Sequence, residues 1–143
     1  MGRPRNTELR RAQIADAMIA VVAELGVDAA TVPAVALAAE LSPGLVHYHF
    51  KTKDEILPLA LERLALLLET RAEAKLRAAG DDPCARLHAL VDAWLSLDEG
   101  ADPRAVRAWA AIGAAAARRE DLHALTAVFV ERAVERWQRE VAR

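Results

Sequence analysis

Residues 31–53 have the sequence TVPAVALAAELSPGLVHYHFKTK, and this stretch decides the fold. Thr31 and Ser42 are residue types that cap helix N-termini, and each is followed closely by a proline, which the first turn of a helix tolerates. The pattern predicts two short helices, at about 32–39 and 43–49. The connection between them is short enough for a helix-turn-helix motif.

Hydrophobic periodicity outside this stretch predicts five further helices joined by short linkers. Their predicted limits are about 7–25, 52–79, 83–97, 103–117 and 121–142. Asn6 or Thr7 is expected to cap the first of these helices, and Gly26 to end it. Thr52 and Glu55 have the spacing of a capping box, in which the Glu55 carboxylate accepts from the amide of Thr52. In the helix at 83–97, the periodicity places these side chains inward: Leu87, Leu90, Val91, Trp94 and Leu95.

The composition favours an all-α protein of the cytoplasm. Hydrophobic residues make up 54% of the 143 residues, alanine is the most abundant, and Ile, Thr, Tyr and Phe, which favour strands, are rare. The single cysteine, Cys84, excludes an internal disulfide framework and fits a reducing compartment. The apolar runs are too short to span a bilayer, and the N-terminus has no secretory signal, so no membrane partner is expected.

The distribution of charge is more informative than its total. The net charge of −2 and the pI of about 6.1 argue mildly against a nucleic-acid binder. Basic residues nevertheless cluster near the N-terminus and around residue 52. They are Arg3, Arg5, Arg10 and Arg11 in the first cluster, and Lys51 and Lys53 in the second.

The helix-turn-helix stretch resembles the DNA-binding motif of the TetR family of bacterial transcriptional regulators. The matching residues are Gly26, Thr31, Ser42, Gly44, Tyr48-His49-Phe50 and Lys53. The likeness is detailed over about residues 8–62 and extends beyond them only in helix layout. It implies a three-helix helix-turn-helix DNA-binding domain at 1–52, followed by a helical-bundle regulatory domain at 53–143. The second domain would bind an effector and dimerise, and it is expected to be incomplete.

Helix N-termini bind phosphate, and small residues at the start of a recognition helix allow close approach to the major groove. These rules and the resemblance together predict the residues that contact double-stranded DNA. They are Arg3, Arg5, Thr31, Pro33, Ser42, Pro43, Gly44, Leu45, His47, Tyr48 and Lys53. Among these residues, the ones expected to contact phosphates of the DNA backbone are Thr31, Ser42, Lys53, Arg3 and Arg5.

The motif departs from the family pattern at three positions. His47 lies where relatives usually have tyrosine, and Pro33 where they often have a long polar side chain. Glu40 lies at a turn position that is usually glycine, so either the glutamate bears the steric cost of a positive φ, roughly 1 kcal/mol, or the turn differs slightly. Because this surface has no Arg, Asn or Gln, base recognition is expected to depend on His47, Tyr48 and apolar contacts, with modest sequence preference.

The resemblance also implies an effector pocket in the second domain, with largely apolar walls. The predicted pocket residues are Leu64, Leu68, Trp94, Trp109, Ile112 and Phe129, and the alternative for each is ordinary core filling. His47 and His49 point apart on one helix, so no metal site is expected there. No phosphate loop or nucleophile elbow is present, so neither an enzyme nor a cofactor is expected.

These features predict a transcriptional repressor released from a DNA operator by a small apolar or amphipathic effector. The alternative is a helical protein-interaction module that does not bind DNA productively. Family members usually continue beyond this point with helices that form the dimer. A homodimer is therefore expected, and a weak one if those helices are missing.

Overall fold

The computed structural model describes residues 3–98 and 100–142, and the backbone of these residues forms seven α-helices and no strand. The helices are α1 (Arg3–Leu25), α2 (Val32–Ala38), α3 (Pro43–His49), α4 (Lys53–Ala79), α5 (Pro83–Leu95), α6 (Pro103–Ala116) and α7 (Glu120–Val141). The all-α prediction is confirmed. Helices α2 and α3 form the helix-turn-helix, and α1 packs against both of them.

The helix limits agree with the prediction except at a few ends. Helix α1 begins at Arg3, several residues earlier than expected, so the prediction that Asn6 or Thr7 caps it is wrong. A proline at the second position does not prevent this early start, because the first turn of a helix needs no amide donor there. Helix α5 ends at Leu95 rather than near 97, and the amide of Ser96 closes it.

Thr31 and Ser42 cap their helices as predicted, whereas the predicted capping box at Thr52 does not form. The hydroxyl of Thr31 accepts from the amide of Ala34 at 3.3 Å, and that of Ser42 accepts from Leu45 at 3.2 Å. The capping box at Thr52 is wrong, because the Thr52 side chain makes no cap hydrogen bond. The Glu55 carboxylate instead accepts from the amide of Lys51 at 2.9 Å, one residue further back.

The turn after α2 has the backbone that a glycine would favour. Glu40 has φ = 57°, so of the two alternatives for this position the strained glutamate is the one that the structure adopts. The amide of Leu41 donates to the carbonyl of Ala36 at 2.9 Å, and that of Glu40 donates to Leu37 at 3.1 Å. These two bonds form a Schellman motif at the end of α2. The residue with positive φ in this motif, here Glu40, is usually glycine.

One continuous hydrophobic core runs through the described residues, from α1 to the start of α7. Met18 of α1, Leu61 of α4 and Ile112 of α6 are among its buried members. Helix α6 packs along α1, and α4 packs on both α1 and α5. The core therefore crosses the predicted domain boundary at residue 52 without a break.

Helix α5 buries a narrower stripe than its sequence suggested. Leu90 and Trp94 are buried as predicted, but Leu87, Val91 and Leu95 are exposed, so the inward placement of those three is wrong. The small Ala89 and Ala93 fill the positions beside Leu90 and Trp94 in the buried stripe. Within the described part of the chain, no helix has both the length and the apolar character needed to cross a membrane.

Candidate nucleic-acid interface and aromatic cleft

The outer face of α3 presents the predicted recognition residues to solvent. Val46 and Phe50 are fully buried and anchor the helix to the core. The side chains of the opposite, outer face are exposed to solvent, and Tyr48 is 74% exposed. The exposed residues are Ser42, Pro43, Gly44, Leu45, His47 and Tyr48. Thr31 and Pro33, at the start of α2, are exposed as well.

Gly44 has no structural reason within this chain to be glycine. Its φ is not in the positive range, and a Cβ added there would have no atom within 4 Å. Glycine within a helix lowers stability by roughly 0.5–1 kcal/mol relative to alanine. The position therefore carries a conformational cost, and the packing of this chain does not explain it.

A groove separates the N-terminal part of α1 from α3. It is lined by Asn6, Thr7, Arg10, Leu45, Tyr48 and His49. The rings of Tyr48 and His49 meet edge to face, with their centroids 5.1 Å apart. Asn6 and Arg10 therefore lie beside the recognition helix. The sequence analysis did not assign them to DNA, although Arg10 belongs to the basic cluster noted there.

Side chains of α1 hold the helix-turn-helix in place. Arg11 donates to the carbonyl of His49 at 2.7 Å, and its guanidinium lies 4.1 Å from the centroid of the Phe50 ring. Gln13 donates to the carbonyl of Ala39 at 2.7 Å. These contacts satisfy carbonyls at the ends of α2 and α3. Burial and the nearby Arg11 and Arg10 lower the pKa of the His49 imidazole.

Lys53 has a structural role that the sequence analysis missed. Its ammonium donates to the carbonyls of Val27 at 3.1 Å and of Asp28 at 3.2 Å, in the connection between α1 and α2. An ammonium has three donors, so one is left for a further acceptor. The phosphate contact predicted for Lys53 remains a prediction. Arg5 is exposed on α1, and the side chain of Arg3 lies outside the described residues.

A second candidate site is an apolar cleft of about 200 Å³ between α5, α6 and α7. Its lining residues are Trp94, Leu95, Trp109, Val130, Ala133, Val134 and Trp137. The indole rings of Trp94 and Trp109 meet nearly edge to face, with their centroids 4.9 Å apart. The structure thus brings together two of the predicted pocket residues, Trp94 and Trp109, and adds Trp137, which was not among them.

The other predicted pocket residues lie elsewhere. Leu64, Leu68 and Ile112 are buried in the core and do not line this cleft. Phe129 is half-buried, and the guanidinium of Arg132 lies 5.9 Å from the centroid of its ring.

Among the described residues, two ion pairs join the helix-turn-helix part to the remaining helices. Arg63 of α4 makes two hydrogen bonds to the carboxylate of Asp16 in α1, at 2.5 and 2.7 Å. Arg119, just before α7, donates to Asp28 at 3.1 Å. The carbonyl of Asp28 is also one of the acceptors of Lys53, so this connection is held from two sides.

Comparison with known proteins agrees with this architecture. Residues 14–59 match the family model for bacterial regulatory proteins of the tetR family. The chain is 32% identical over 124 residues to the HTH-type transcriptional regulator BetI of Rhizobium meliloti (strain 1021). That match covers 87% of this chain and 60% of the regulator, so the chain spans about three fifths of that relative's length.

Two solved structures show the same fold. A transcriptional regulator from Rhodococcus sp. Rha1 is 34% identical, with a TM-score of 0.69 over 83% of this chain and 62% of that one. The multidrug binding protein EbrR, complexed with imidazole, is 28% identical, with a TM-score of 0.64 over 85% of this chain and 67% of that one. The helix-turn-helix geometry and these similarities together place residues 14–59 in the TetR family of bacterial regulatory proteins, and the remaining helices follow the fold of those regulators.

Proposed function

We propose that this protein regulates transcription by binding a double-stranded DNA operator with the exposed face of α3. The observation that carries the proposal is the outer face of α3, which presents every predicted recognition residue of this helix to solvent and leaves open space at Gly44 for the close approach of a partner. Pro43 and Gly44 would approach the groove, while Leu45, His47 and Tyr48 would contact its bases and rim.

The remaining contacts would position the protein on the DNA backbone. Thr31, Ser42, Lys53, Arg3 and Arg5 are the proposed phosphate contacts, and Pro33 lies next to them on α2. The groove between α1 and α3 adds Arg10, whose guanidinium donates to Gln13 at 2.8 Å. Contacts of this kind set register and affinity and carry no sequence information.

We further propose that the protein is a repressor and that an effector bound in the aromatic cleft releases it from DNA. Trp109 lies on α6, which packs along α1, and Arg119 links the end of α6 to the α1–α2 connection. An effector that favours one position of α6 would thereby change the placement of the recognition helix. The similarity to EbrR, solved with imidazole, supports binding of a small molecule.

A homodimer completes the proposal. Two recognition helices about 34–36 Å apart would meet successive turns of the major groove. The exposed Leu87 and Val91 of α5 offer apolar surface for such an assembly. The regulator would act in the cytoplasm, where its operator is accessible.

The test compares two glycines that differ only in where they lie. Gly113 of α6 resembles Gly44, because it is helical and a Cβ there also has no atom within 4 Å. Gly44→Ala and Gly113→Ala should each raise the free energy of unfolding by roughly 0.5 kcal/mol. Only Gly44→Ala should weaken DNA binding, by about tenfold, which corresponds to about 1.4 kcal/mol.

Fluorescence anisotropy would measure the affinity, using a duplex enriched from a random library on the immobilised protein and a scrambled duplex as reference. Equal affinity of the two alanine variants would contradict the proposed recognition face. If the wild-type chain binds neither duplex at low salt, the chain is instead a protein-interaction module without productive DNA binding.

A further inference from the structure

The aromatic cleft adjoins a second cleft along the same helices. This second cleft, of about 490 Å³, lies between α6 and α7, and we call it the α6–α7 cleft. Trp109 and Val130 line both clefts, so the two meet at this pair of side chains. One elongated ligand can therefore occupy both.

The walls of the two clefts differ in polarity. All three tryptophans of the chain line the aromatic cleft, and none of its seven lining residues is charged. The α6–α7 cleft is also largely apolar, but it adds the polar residues His123, Thr126 and Glu131. The hydroxyl of Thr126 already donates within α7, to the carbonyls of Leu122 and His123. An amphipathic molecule fits this sequence of an apolar end and a polar end.

Glu131 determines which charge the polar end accepts. No lysine or arginine is among the described residues that line either cleft. Glu131 is exposed, and none of the ion pairs within the described ranges involves it, whereas Glu135, one turn further on, pairs with Arg139. A carboxylate without an ion-pair partner attracts a cationic group and repels an anionic one.

We propose that the effector is an amphipathic cation, whose ring lies in the aromatic cleft and whose ammonium group contacts the carboxylate of Glu131. This inference rests on the proposed effector site and adds the chemical class of its ligand. Along α7, Glu131 lies about 5–9 Å from Val134 and Trp137 of the aromatic cleft. A ring joined to a nitrogen through two or three carbon atoms suits this distance. The indole of Trp109, which lines both clefts, can also attract the ammonium group.

Three probes with one carbon skeleton test the charge: 3-phenylpropylamine, 3-phenylpropanol and 3-phenylpropanoate are positive, neutral and negative. Their single ring fits the aromatic cleft of about 200 Å³, because an apolar cavity of about 150 Å³ accommodates benzene. At low salt the amine should bind about threefold to fivefold more tightly than the alcohol, the upper range for an exposed ion pair. The carboxylate should bind most weakly. Titrations followed in ¹H–¹⁵N spectra of the indole groups, at about pH 8, where histidine is ordinarily uncharged, give the affinities.

Two glutamine variants separate the local charge from the total charge. Glu131→Gln should remove the preference for the amine and leave the affinity for the alcohol unchanged. Glu120→Gln is the matched control, because Glu120 is exposed on the same helix, about 16 Å away along its axis, and lines neither cleft. This control should keep the preference. Far-UV circular dichroism would verify the fold of both variants.

The outcomes distinguish this inference from the proposed function. If the amine and the alcohol bind equally to the wild type, the cationic class is wrong while the effector cleft stands. If Glu131→Gln keeps the preference for the amine, the assignment to Glu131 is wrong. If none of the three probes binds, the effector site itself is wrong. If the indole signals shift on dilution of the protein alone, a second copy of the chain covers the clefts, which also overturns the inference.

Discussion

Glu40 is the residue at which local conformation and sequence disagree most clearly. Its φ of 57° is in the left-handed region, where a side chain with a Cβ costs roughly 1–2 kcal/mol. The Schellman bonds of the turn hold it there. The cost is local to this residue and can therefore be measured by substitution.

Glu40→Gly should raise the free energy of unfolding by roughly 0.5–1 kcal/mol. Relief of the strain outweighs the additional freedom that glycine has in the unfolded chain. Glu40→Ala is the control, because it removes the same charge and keeps the Cβ, and it should give no gain. Urea unfolding followed by circular dichroism measures both variants. Equal stabilities of the glycine and alanine variants would show that the turn carries no strain.

His49 makes stability depend on pH. Its pKa is lowered in the folded protein by burial and by Arg11 and Arg10, whereas in the unfolded chain it is near the ordinary value of about 6.5. As the pH falls, the His49 side chain therefore takes up a proton at a higher pH in the unfolded chain than in the folded protein. The stability that the neutral imidazole contributes is present above about pH 6.5 and is lost as the pH falls through the window below it.

His49→Gln should reduce this loss. The free energy of unfolding of the wild type should fall more steeply between about pH 7.5 and 5.5 than that of the variant, while the two curves run parallel above this range. Urea titrations at a series of pH values measure the difference. Parallel curves over the whole range would mean that His49 does not contribute to the pH dependence.

At the level of elements, the start of α4 is tied to the connection between α1 and α2. The Lys53 ammonium bonds to two carbonyls of that connection, and one of its donors is left for DNA. Lys53→Ala should lower the free energy of unfolding by about 1 kcal/mol, because the two carbonyls lose a charged donor. It should also reduce the salt dependence of DNA binding by about one unit, equally on specific and scrambled duplexes.

Arg139→Ala is the matched control for charge. Lys53 begins α4, which is about 40 Å long. Arg139 lies in the last turn of α7, near the other end of α4, where Arg86 bonds to both Glu140 and the Gly80 carbonyl. Arg139 is exposed and far from the proposed DNA-binding face. Its replacement should therefore leave the salt dependence of DNA affinity unchanged. Anisotropy titrations from about 50 to 300 mM NaCl give the slopes. A wild-type slope for Lys53→Ala would exclude the phosphate contact.

For the molecule as a whole, the continuous core predicts a single cooperative unfolding transition. Helix α6 packs along α1, and buried residues of both parts belong to one cluster, so neither part can unfold without exposing core of the other. All three tryptophans lie around the aromatic cleft, so their fluorescence follows the second part, whereas circular dichroism follows all helices.

Met18→Ala tests this coupling from the α1 side. Met18 is fully buried, and its truncation should lower the free energy of unfolding by about 3 kcal/mol. Both the fluorescence and the dichroism midpoints should shift together in urea. A fluorescence midpoint that stays at its wild-type value would show that the two parts unfold independently.

Much of the helical architecture could be predicted because its signals act over a few residues. Ser42 followed by Pro43, and Thr31 followed two positions later by Pro33, start helices through bonds to amides three residues ahead. Such contacts depend little on the rest of the chain. The capping box at Thr52 failed for a related reason, since the Glu55 carboxylate can reach either of two adjacent amides and the spacing does not decide between them.

Contacts between residues far apart in the chain were decided by the tertiary structure. The bonds from Lys53 to Val27 and Asp28, and from Arg11 to His49, span 25 residues or more, and hydrophobic periodicity does not encode them. The aromatic cleft is of the same kind. Helical spacing predicted the inward side chains of α5 correctly for Leu90 and Trp94 only. The packing of α5, α6 and α7 alone brings Trp94, Trp109 and Trp137 around one space.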